Sequence, residues 1–297
     1  MSSEKIKVWL AQIRANFLLL PVLLVSLGGA MAFKHGFFNW YLFYLTMLGV
    51  ISAHISVNLF NEYSDYRTGI DFNTERTPFS GGSGMLQAGL TNPEQVRFFA
   101  WFILVISLII GLYLTWHTGP ILVFIIALGA FATIGYTDYL ARWILGELFA
   151  GLCLGTLVVL GSYLVQTKQL NLAALITSTP PGILTALLLL LNEFPDVEAD
   201  RKGGRKHLVI KFGKKKSILI YGFFLALCYV VIVFSVLTNL IPRTTLIACL
   251  TLPLACLAFY GGWVHSTRGE TILPALKWNV LVVLGTDFLL VIGVLMS

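Results

Sequence analysis

Oxygen-bearing side chains recur at a spacing of four residues where a long apolar run ends. Asn192, Asp196 and Asp200 follow one another at this spacing. If the helical register continues past Pro195, these side chains lie on one helix face, roughly 6 Å apart. Carboxylates this close repel one another unless protons or a cation lie between them, and ligand sets made only of oxygen favour Mg²⁺. The spacing therefore predicts a magnesium-binding helix end.

A second acidic stretch has the same spacing. Asn61 and Asp65 are four residues apart at the end of another apolar run, and Gly69 can turn the chain before Asp71. Mg²⁺ on a phosphorylated substrate is usually held by one or two carboxylates with phosphate oxygens and water. The two stretches contain seven of the fourteen acids in the chain, and we expect them to face each other across a common pocket. The predicted metal ligands are Asn61, Asp65, Asp71, Asn192, Asp196 and Asp200.

The elements that carry these stretches are predicted to be transmembrane helices. Of the 297 residues, 57% are hydrophobic and only 11% are charged, against roughly 25% charged in soluble domains, and the mean hydropathy is +0.84. Apolar runs of about 18 residues or more, long enough to cross a bilayer, recur along the whole chain. We therefore predict an all-α, polytopic membrane protein with nine transmembrane helices around a central cavity, forming a single domain over residues 1–297. The predicted spans lie near 16–33, 40–62, 95–116, 119–136, 145–165, 171–193, 217–238, 243–265 and 273–296.

The distribution of basic residues predicts the orientation in the membrane. With the N-terminus in the cytoplasm, sixteen Lys and Arg residues fall on the cytoplasmic side and three on the other side, which agrees with the positive-inside rule. Both acidic stretches then face the cytoplasm, where diphosphates and Mg²⁺ are available. The net charge of +6 comes from bases beside membrane segments, so we attribute it to anionic lipid and topology and not to nucleic acid. The four cysteines lack C-x-x-C spacing, so neither a zinc site nor a disulfide framework is indicated.

Acidic helix ends at a membrane surface suit a substrate with one anionic end and one apolar end, such as a prenyl diphosphate. Mg²⁺ between the stretches would hold the diphosphate and stabilise the charge that develops as the allylic carbon–oxygen bond breaks. Arg67, Arg205 and Lys206 lie close to the acids and are the expected diphosphate contacts. Tyr136, at the end of the fourth predicted span, is the candidate for stabilising an allylic cation through its aromatic face. Asp65 and Asp196 are expected to be essential for catalysis.

These motifs resemble those of the UbiA-type superfamily of intramembrane prenyltransferases. The first reads Asn61-Glu-Tyr-Ser-Asp-Tyr-Arg-Thr-Gly-Ile-Asp71, with the Gly-x-Asp ending of the menaquinone-pathway branch, and the second begins Asn192-Glu-Phe-Pro-Asp-Val-Glu-Ala-Asp200. The resemblance implies nine helices and two Mg²⁺-diphosphate motifs, after the second and sixth helices. It also implies an aromatic acceptor such as 1,4-dihydroxy-2-naphthoate or another quinone precursor. Asn58, Asn192 and Arg14 are the further substrate contacts expected on this basis. The chain departs from the family pattern at Ala15, Glu62 and Pro195.

Two alternatives remain open on the sequence. One is an acceptor of another class, such as a glyceryl phosphate ether lipid precursor or haem. From a different class of protein, a cation-coupled transporter would also use paired acids, and Pro180-Pro181-Gly182, where we expect a kink or break, favours it. Transporters, however, usually place such groups near the bilayer midplane and not at helix ends beside many bases. No obligatory protein partner is indicated.

Three smaller expectations concern packing and isolated polar residues. Gly151-x-x-x-Gly155 predicts a close contact between two helices. His207 is expected to be an exposed loop residue. Glu147 and Asp287 lie within predicted spans, where acids are costly and often functional.

Overall fold

The fold is entirely helical in residues 3–74, 76–135 and 139–297, the ranges that this computed structural model describes. The prediction of an all-α protein is therefore confirmed. The α-helices are α1 (Ser3–Gln12), α2 (Leu19–Lys34), α3 (Trp40–Thr68), α4 (Pro93–Thr118), α5 (Ile121–Gly135), α6 (Gly146–Gly151), α7 (Leu157–Thr167), α8 (Leu172–Lys202), α9 (Leu208–Leu237), α10 (Leu252–Arg268) and α11 (Leu273–Leu295). Short 3₁₀ segments cover Ala15–Leu18, Ile70–Phe72, Leu140–Arg142 and Arg243–Thr251, and a π-helical segment, Leu152–Thr156, joins α6 to α7.

Eight helical stretches in the described ranges are long and apolar enough to cross a membrane. Three of them combine α-helices with adjacent 3₁₀ or π-helical segments: Ala15–Lys34, Gly146–Thr167 and Arg243–Arg268. The remaining predicted span, near residues 119–136, corresponds to α5, which is apolar but only 15 residues long. The total of nine spans therefore stays a prediction. Large apolar side chains such as Trp116, Phe124 and Leu250 are 92%, 76% and 71% exposed, as expected for a surface that faces lipid and not water.

Helix α8 lies at the centre of the fold and packs against α6, α9 and α11. It continues through Pro180-Pro181-Gly182, so of the kink or break expected there the break does not occur, and the kink stays a prediction. Gly151 explains part of the close packing, because a Cβ added at this position would lie 2.6 Å from the Gly182 carbonyl oxygen. A Cβ at Gly155 would lie 2.7 Å from the Gly182 Cα. The close helix contact predicted from Gly-x-x-x-Gly is confirmed, and its partner is α8.

The ends of α3 and α8 carry the two acidic stretches to the same end of the bundle. Helix α3 ends at Gly69, whose left-handed conformation (φ 77°) lets the chain turn into the Ile70–Phe72 segment. After α8, Gly203 lies so close to Ile70 that an added Cβ would overlap the isoleucine side chain. The two helix ends are therefore in direct contact.

Candidate active site

The two acidic stretches meet around a cavity of about 220 Å³. The polar residues that line it come from four parts of the chain: the segment that precedes α2, the end of α3 with the segment that follows it, α8, and the turn after α8. Asp65 and Asp196 both line this cavity, as the sequence predicted for the two motifs. The polar side chains brought together from the predicted set are Arg14, Asn58, Asn61, Asp65, Asp71, Asn192, Asp196, Asp200 and Arg205.

Arg205 connects the two motifs. Its guanidinium forms an ion pair with Asp65 on α3, and its Nη1 donates a hydrogen bond to Asp200 Oδ1 on α8 at 3.0 Å. Its Nη2 also donates to Asn61 Oδ1 at 3.2 Å. Each of these contacts joins a planar cation to an oxygen acceptor, an arrangement that suits arginine better than lysine. The guanidinium therefore offsets part of the negative charge that the two helix ends bring together.

Three oxygen atoms of residues that line the cavity have no hydrogen-bond partner among the described residues. These atoms are Asn192 Oδ1 and Asp196 Oδ1, one helical turn apart on α8, and Glu193 Oε2. Leaving a buried polar group unsatisfied costs about 1–3 kcal/mol, so such atoms usually indicate a missing ligand or water. The potential metal ligands around them are carboxylate and amide oxygens, which Mg²⁺ prefers. The residues present therefore fit the hard divalent cation that the sequence predicted.

Asp71 reaches the cavity because the chain turns at Gly69. Its Oδ2 accepts a hydrogen bond from Gln87 Nε2 at 2.9 Å. Burial, together with the nearby carboxylates of Asp65 and Glu62, raises the pKa of Asp71 to about 7. Gly82, with φ of 72°, approaches so closely that an added Cβ would lie 2.5 Å from Asp71 Oδ2. The glycine-rich segment before α4 therefore covers this part of the site.

Glu62 is fully buried beside the cavity and links three parts of the chain. Its Oε1 accepts from Arg14 Nη2 at 2.7 Å and from the Ser83 backbone N–H at 2.8 Å. Its Oε2 accepts from Gln12 Nε2 at 3.0 Å. Arg14, predicted as a substrate contact, lines the cavity but is already paired with this carboxylate. In the sequence, Glu62 stands out only as a departure from the family pattern, because nothing in its neighbourhood indicates that residues 12 and 83 reach it.

Two predicted diphosphate contacts do not line the cavity. Arg67 is exposed, and its guanidinium lies 6.0 Å from the centre of the Tyr63 ring. Because Arg67 follows Asp65 by two residues on α3, it is rotated roughly 200° around the helix, away from the site. Lys206 has an exposed side chain, and its backbone N–H donates to the Ala141 carbonyl at 2.8 Å. The cavity lining gives no support to these two contacts, and their role stays a prediction.

Two other expectations have different outcomes. Tyr136, the candidate for cation stabilisation, lies outside the described residues. His207 was expected to be exposed, but it is only 3% exposed, so that expectation is wrong. After α8 the chain turns at Gly203 and Gly204 and brings His207 back beneath the helix, next to Glu193. A turn of this kind cannot be recognised from the polarity of the surrounding residues.

An apolar cavity of about 140 Å³ adjoins the polar one. His54 and Leu154 line both cavities. The other lining residues come from α3, α4, α5 and α7 and are mostly aliphatic, including Leu104, Ile126 and Leu157. The site thus combines a polar end, built from hard oxygen atoms and a guanidinium, with an apolar end.

Comparisons with known proteins agree with this arrangement. The sequence model of the UbiA prenyltransferase family matches residues 21–281. The 1,4-dihydroxy-2-naphthoate octaprenyltransferase of Bacillus subtilis (strain 168) is 29% identical over 282 residues, which cover 92% of this chain and 87% of that protein. The Haemophilus influenzae protein of the same name is 26% identical, with 100% of this chain and 98% of that protein covered.

The fold is also similar to a solved structure. A UbiA homologue from Archaeoglobus fulgidus, solved with DMAPP and Mg²⁺ bound, matches 97% of this chain and 99% of its own with a TM-score of 0.65. The two sequences are 13% identical, so this likeness concerns the fold alone.

Proposed function

Since this chain belongs to the UbiA prenyltransferase family, we propose that it transfers a prenyl group from an isoprenyl diphosphate to an aromatic quinone precursor of the 1,4-dihydroxy-2-naphthoate type. The family resemblance of its two motifs is confirmed, and the protein is an integral membrane prenyltransferase. The observation that carries the proposal is that the acids of both motifs line one cavity which adjoins an apolar one. A diphosphate with an isoprenoid tail has the matching shape and chemistry.

The polar cavity would hold the diphosphate. When bound, Mg²⁺ would neutralise charge on the diphosphate as it leaves the allylic carbon. The residues that would hold the metal are Asn61, Asp65, Asp71, Asn192, Asp196 and Asp200. Arg205 already contacts both motifs, and its fork of N–H donors can bind phosphate oxygens in a bidentate manner. Its role in the proposal is to hold the diphosphate between the helix ends.

The apolar cavity would hold the start of the isoprenoid tail and exclude water from the reacting carbon. Water exclusion matters because an allylic cation would otherwise react with solvent before the acceptor carbon attacks. Leu104, Ile126 and Leu157 provide aliphatic walls without competing nucleophiles. Tyr136 remains the proposed aromatic group near the cation, and Asn58 and Asn192 remain proposed polar contacts at the junction of the cavities.

The naphthoate-type acceptor is preferred to the alternatives on similarity over nearly the whole chain. The Bacillus and Haemophilus proteins both carry the name of a 1,4-dihydroxy-2-naphthoate octaprenyltransferase. A digeranylgeranylglyceryl phosphate synthase has a similar fold, with a TM-score of 0.65, but at 18% identity it does not support an ether-lipid acceptor. The transporter alternative is less well supported, because α8 does not break at Pro180-Pro181-Gly182, the feature that favoured transport.

We also propose that the active site faces the cytoplasm. The support is the excess of Lys and Arg on that side, together with the position of both motifs at the same end of the bundle. Labelling of single cysteines introduced at Arg67 and Lys168 with a membrane-impermeant reagent in intact cells tests this orientation. Labelling at position 168 and protection at position 67 is the expected result, and the reverse pattern contradicts it.

The activity itself is tested with purified protein, a panel of prenyl diphosphates and a panel of acceptors, with product masses measured by mass spectrometry. We expect 1,4-dihydroxy-2-naphthoate to be prenylated with release of diphosphate in the presence of Mg²⁺, and no product in the presence of chelator. A product formed only from a glyceryl phosphate or haem acceptor would refute the acceptor. Movement of a solute into proteoliposomes without diphosphate release would refute the proposal as a whole.

A further inference from the structure

A second polar cluster lies behind the acidic motifs. It consists of Glu147 in the first turn of α6, Glu193 on α8 and His207 immediately before α9. All three residues are buried, and a ligand atom from each lies within 4.8 Å of the other two. None of the three belongs to the predicted magnesium ligands. The cluster therefore needs its own explanation.

Several atoms in this cluster lack hydrogen-bond partners among the described residues. Glu147 Oε1 accepts from the Leu208 backbone N–H at 2.8 Å, but its Oε2 has no partner. Glu193 Oε2 and both ring nitrogens of His207 are also unpartnered. His207 Nδ1 lies 3.3 Å from Glu193 Oε2, but the contact does not have the geometry of a hydrogen bond. The His207 imidazole, which is 97% buried, therefore lies beside the carboxylates of Glu147 and Glu193, and neither ring nitrogen has a hydrogen-bond partner among the described residues.

The charge in the cluster is also unbalanced. The buried carboxylates of Glu147 and Glu193 face a single imidazole, whose Nε2 is also 3.3 Å from Asp200 Oδ2. Arg205, the nearby guanidinium, is paired with Asp65 and Asp200. Burying a carboxylate without a counter-charge is strongly unfavourable, whereas one divalent cation would neutralise both acids and satisfy the open atoms. A nitrogen ligand beside two carboxylates suits a transition ion such as Zn²⁺ or Mn²⁺ better than Mg²⁺, which prefers oxygen alone.

We infer that Glu147, Glu193 and His207 form a second metal site, which adjoins the diphosphate site through Glu193 and binds a divalent transition ion such as Zn²⁺. The ion would join α6, α8 and the start of α9, so its role is structural.

The geometry also connects this ion to the diphosphate site. With Nδ1 of His207 on the metal, the ring proton resides on Nε2, which lies 3.3 Å from Asp200 Oδ2. Metal-bound histidines commonly donate the other ring N–H to a carboxylate, which fixes the orientation of both groups. Asp200 would then be oriented from one side by His207 and from the other by Arg205. His207 is therefore a positioning residue for Asp200.

The first test uses the wild-type protein, purified in detergent and stripped of metal with chelator. Zn²⁺ is added in the presence of excess Mg²⁺ and without prenyl diphosphate, and bound zinc is measured after desalting. We expect one zinc ion per chain. We also expect an X-ray absorption spectrum with one imidazole and oxygen ligands at about 2.0–2.2 Å. A protein that retains no zinc, or a spectrum without imidazole, overturns the inference regardless of how any variant folds.

The second test assigns the residues. His207→Gln and Glu147→Gln are each expected to weaken zinc binding by more than about tenfold. The glutamine at position 147 can still accept from the Leu208 N–H, so the backbone contact is retained. Glu198→Gln is the matched control, because Glu198 is an exposed residue of the same helix and its carboxylate pairs with Arg201. This variant should bind zinc normally. Asp196→Asn should also bind zinc normally, which separates this site from the magnesium site. Equal zinc binding in wild type and both cluster variants refutes the assignment.

Discussion

Asp196→Asn is the substitution that most directly separates a metal-binding role from a structural one. The side chain keeps its size and one of its two oxygen atoms but loses its negative charge. In the structure, Asp196 Oδ1 is buried at the cavity without a hydrogen-bond partner. Asp65, Asp71 and Asp200 line the same cavity, and these four carboxylates share it with the Arg205 guanidinium. The native carboxylate is therefore unfavourable for folding in the absence of a cation.

The substitution should consequently have opposite effects on activity and stability. Loss of one charged group that acts on the developing charge of the leaving diphosphate is expected to lower kcat about 10²–10³-fold, which corresponds to about 2.7–4 kcal/mol. Without metal, Tm should be unchanged or higher, because the variant removes a buried, repelling charge. A structural carboxylate would instead lose stability together with activity.

The assay is diphosphate release and product formation by purified protein, measured over a range of Mg²⁺ concentrations, with Tm measured in chelator. Glu198→Gln serves as the control, because Glu198 is on the same helix, two residues later, and its exposed carboxylate pairs with Arg201. This control should retain wild-type turnover. Turnover of Asp196→Asn within about threefold of wild type at low Mg²⁺ would refute the metal role of Asp196.

Three further predictions concern the surroundings of the cavity. Gly82→Ala should raise the Mg²⁺ concentration needed for half-maximal activity, because its Cβ would lie 2.5 Å from Asp71 Oδ2. Gly89→Ala is the control: Gly89 has a similar positive φ, but an added Cβ would meet no atom within 4 Å, so this variant should only lower Tm slightly. Glu62→Gln should lower the free energy of unfolding by about 3 kcal/mol, because it leaves the Arg14 guanidinium without its counter-charge. Chemical denaturation measures this effect, and an unchanged denaturation midpoint would contradict the prediction. The Mg²⁺ requirement should rise as the pH falls below about 7, where a proton competes for Asp71, and Asp71→Asn should weaken this dependence.

Most of the fold and the centre of the site could be predicted from the chain. Continuous apolar runs of about 18 residues or more indicate transmembrane helices, in which every backbone group is paired within its own segment. The four-residue spacing of Asn61 and Asp65, and of Asn192 and Asp196, corresponds to one helical turn, so each pair lies on one face. These are local properties, and they were sufficient to indicate which acids share a cavity.

Predictions failed where the answer depended on direction around a helix or on the path of a turn. Arg67 and Arg205 are both close in sequence to the acidic motifs, but only Arg205 reaches the cavity, because Arg67 is on the opposite side of α3. Pro180-Pro181-Gly182 was expected to kink or break α8, and it does not break the helix in this tightly packed position, where Gly182 contacts the α6 and π-helical segments.

The all-α membrane fold and the two oxygen-rich helix ends could be predicted from the chain alone, because helix periodicity and the length of apolar runs are local properties. The pairing of the charged side chains could not be predicted and is seen only in the folded structure. Glu62 is held by residues 12, 14 and 83, and Glu147 meets His207 across 60 residues of chain. Such contacts arise from the way helices pack and turn, and no spacing pattern in the chain encodes them.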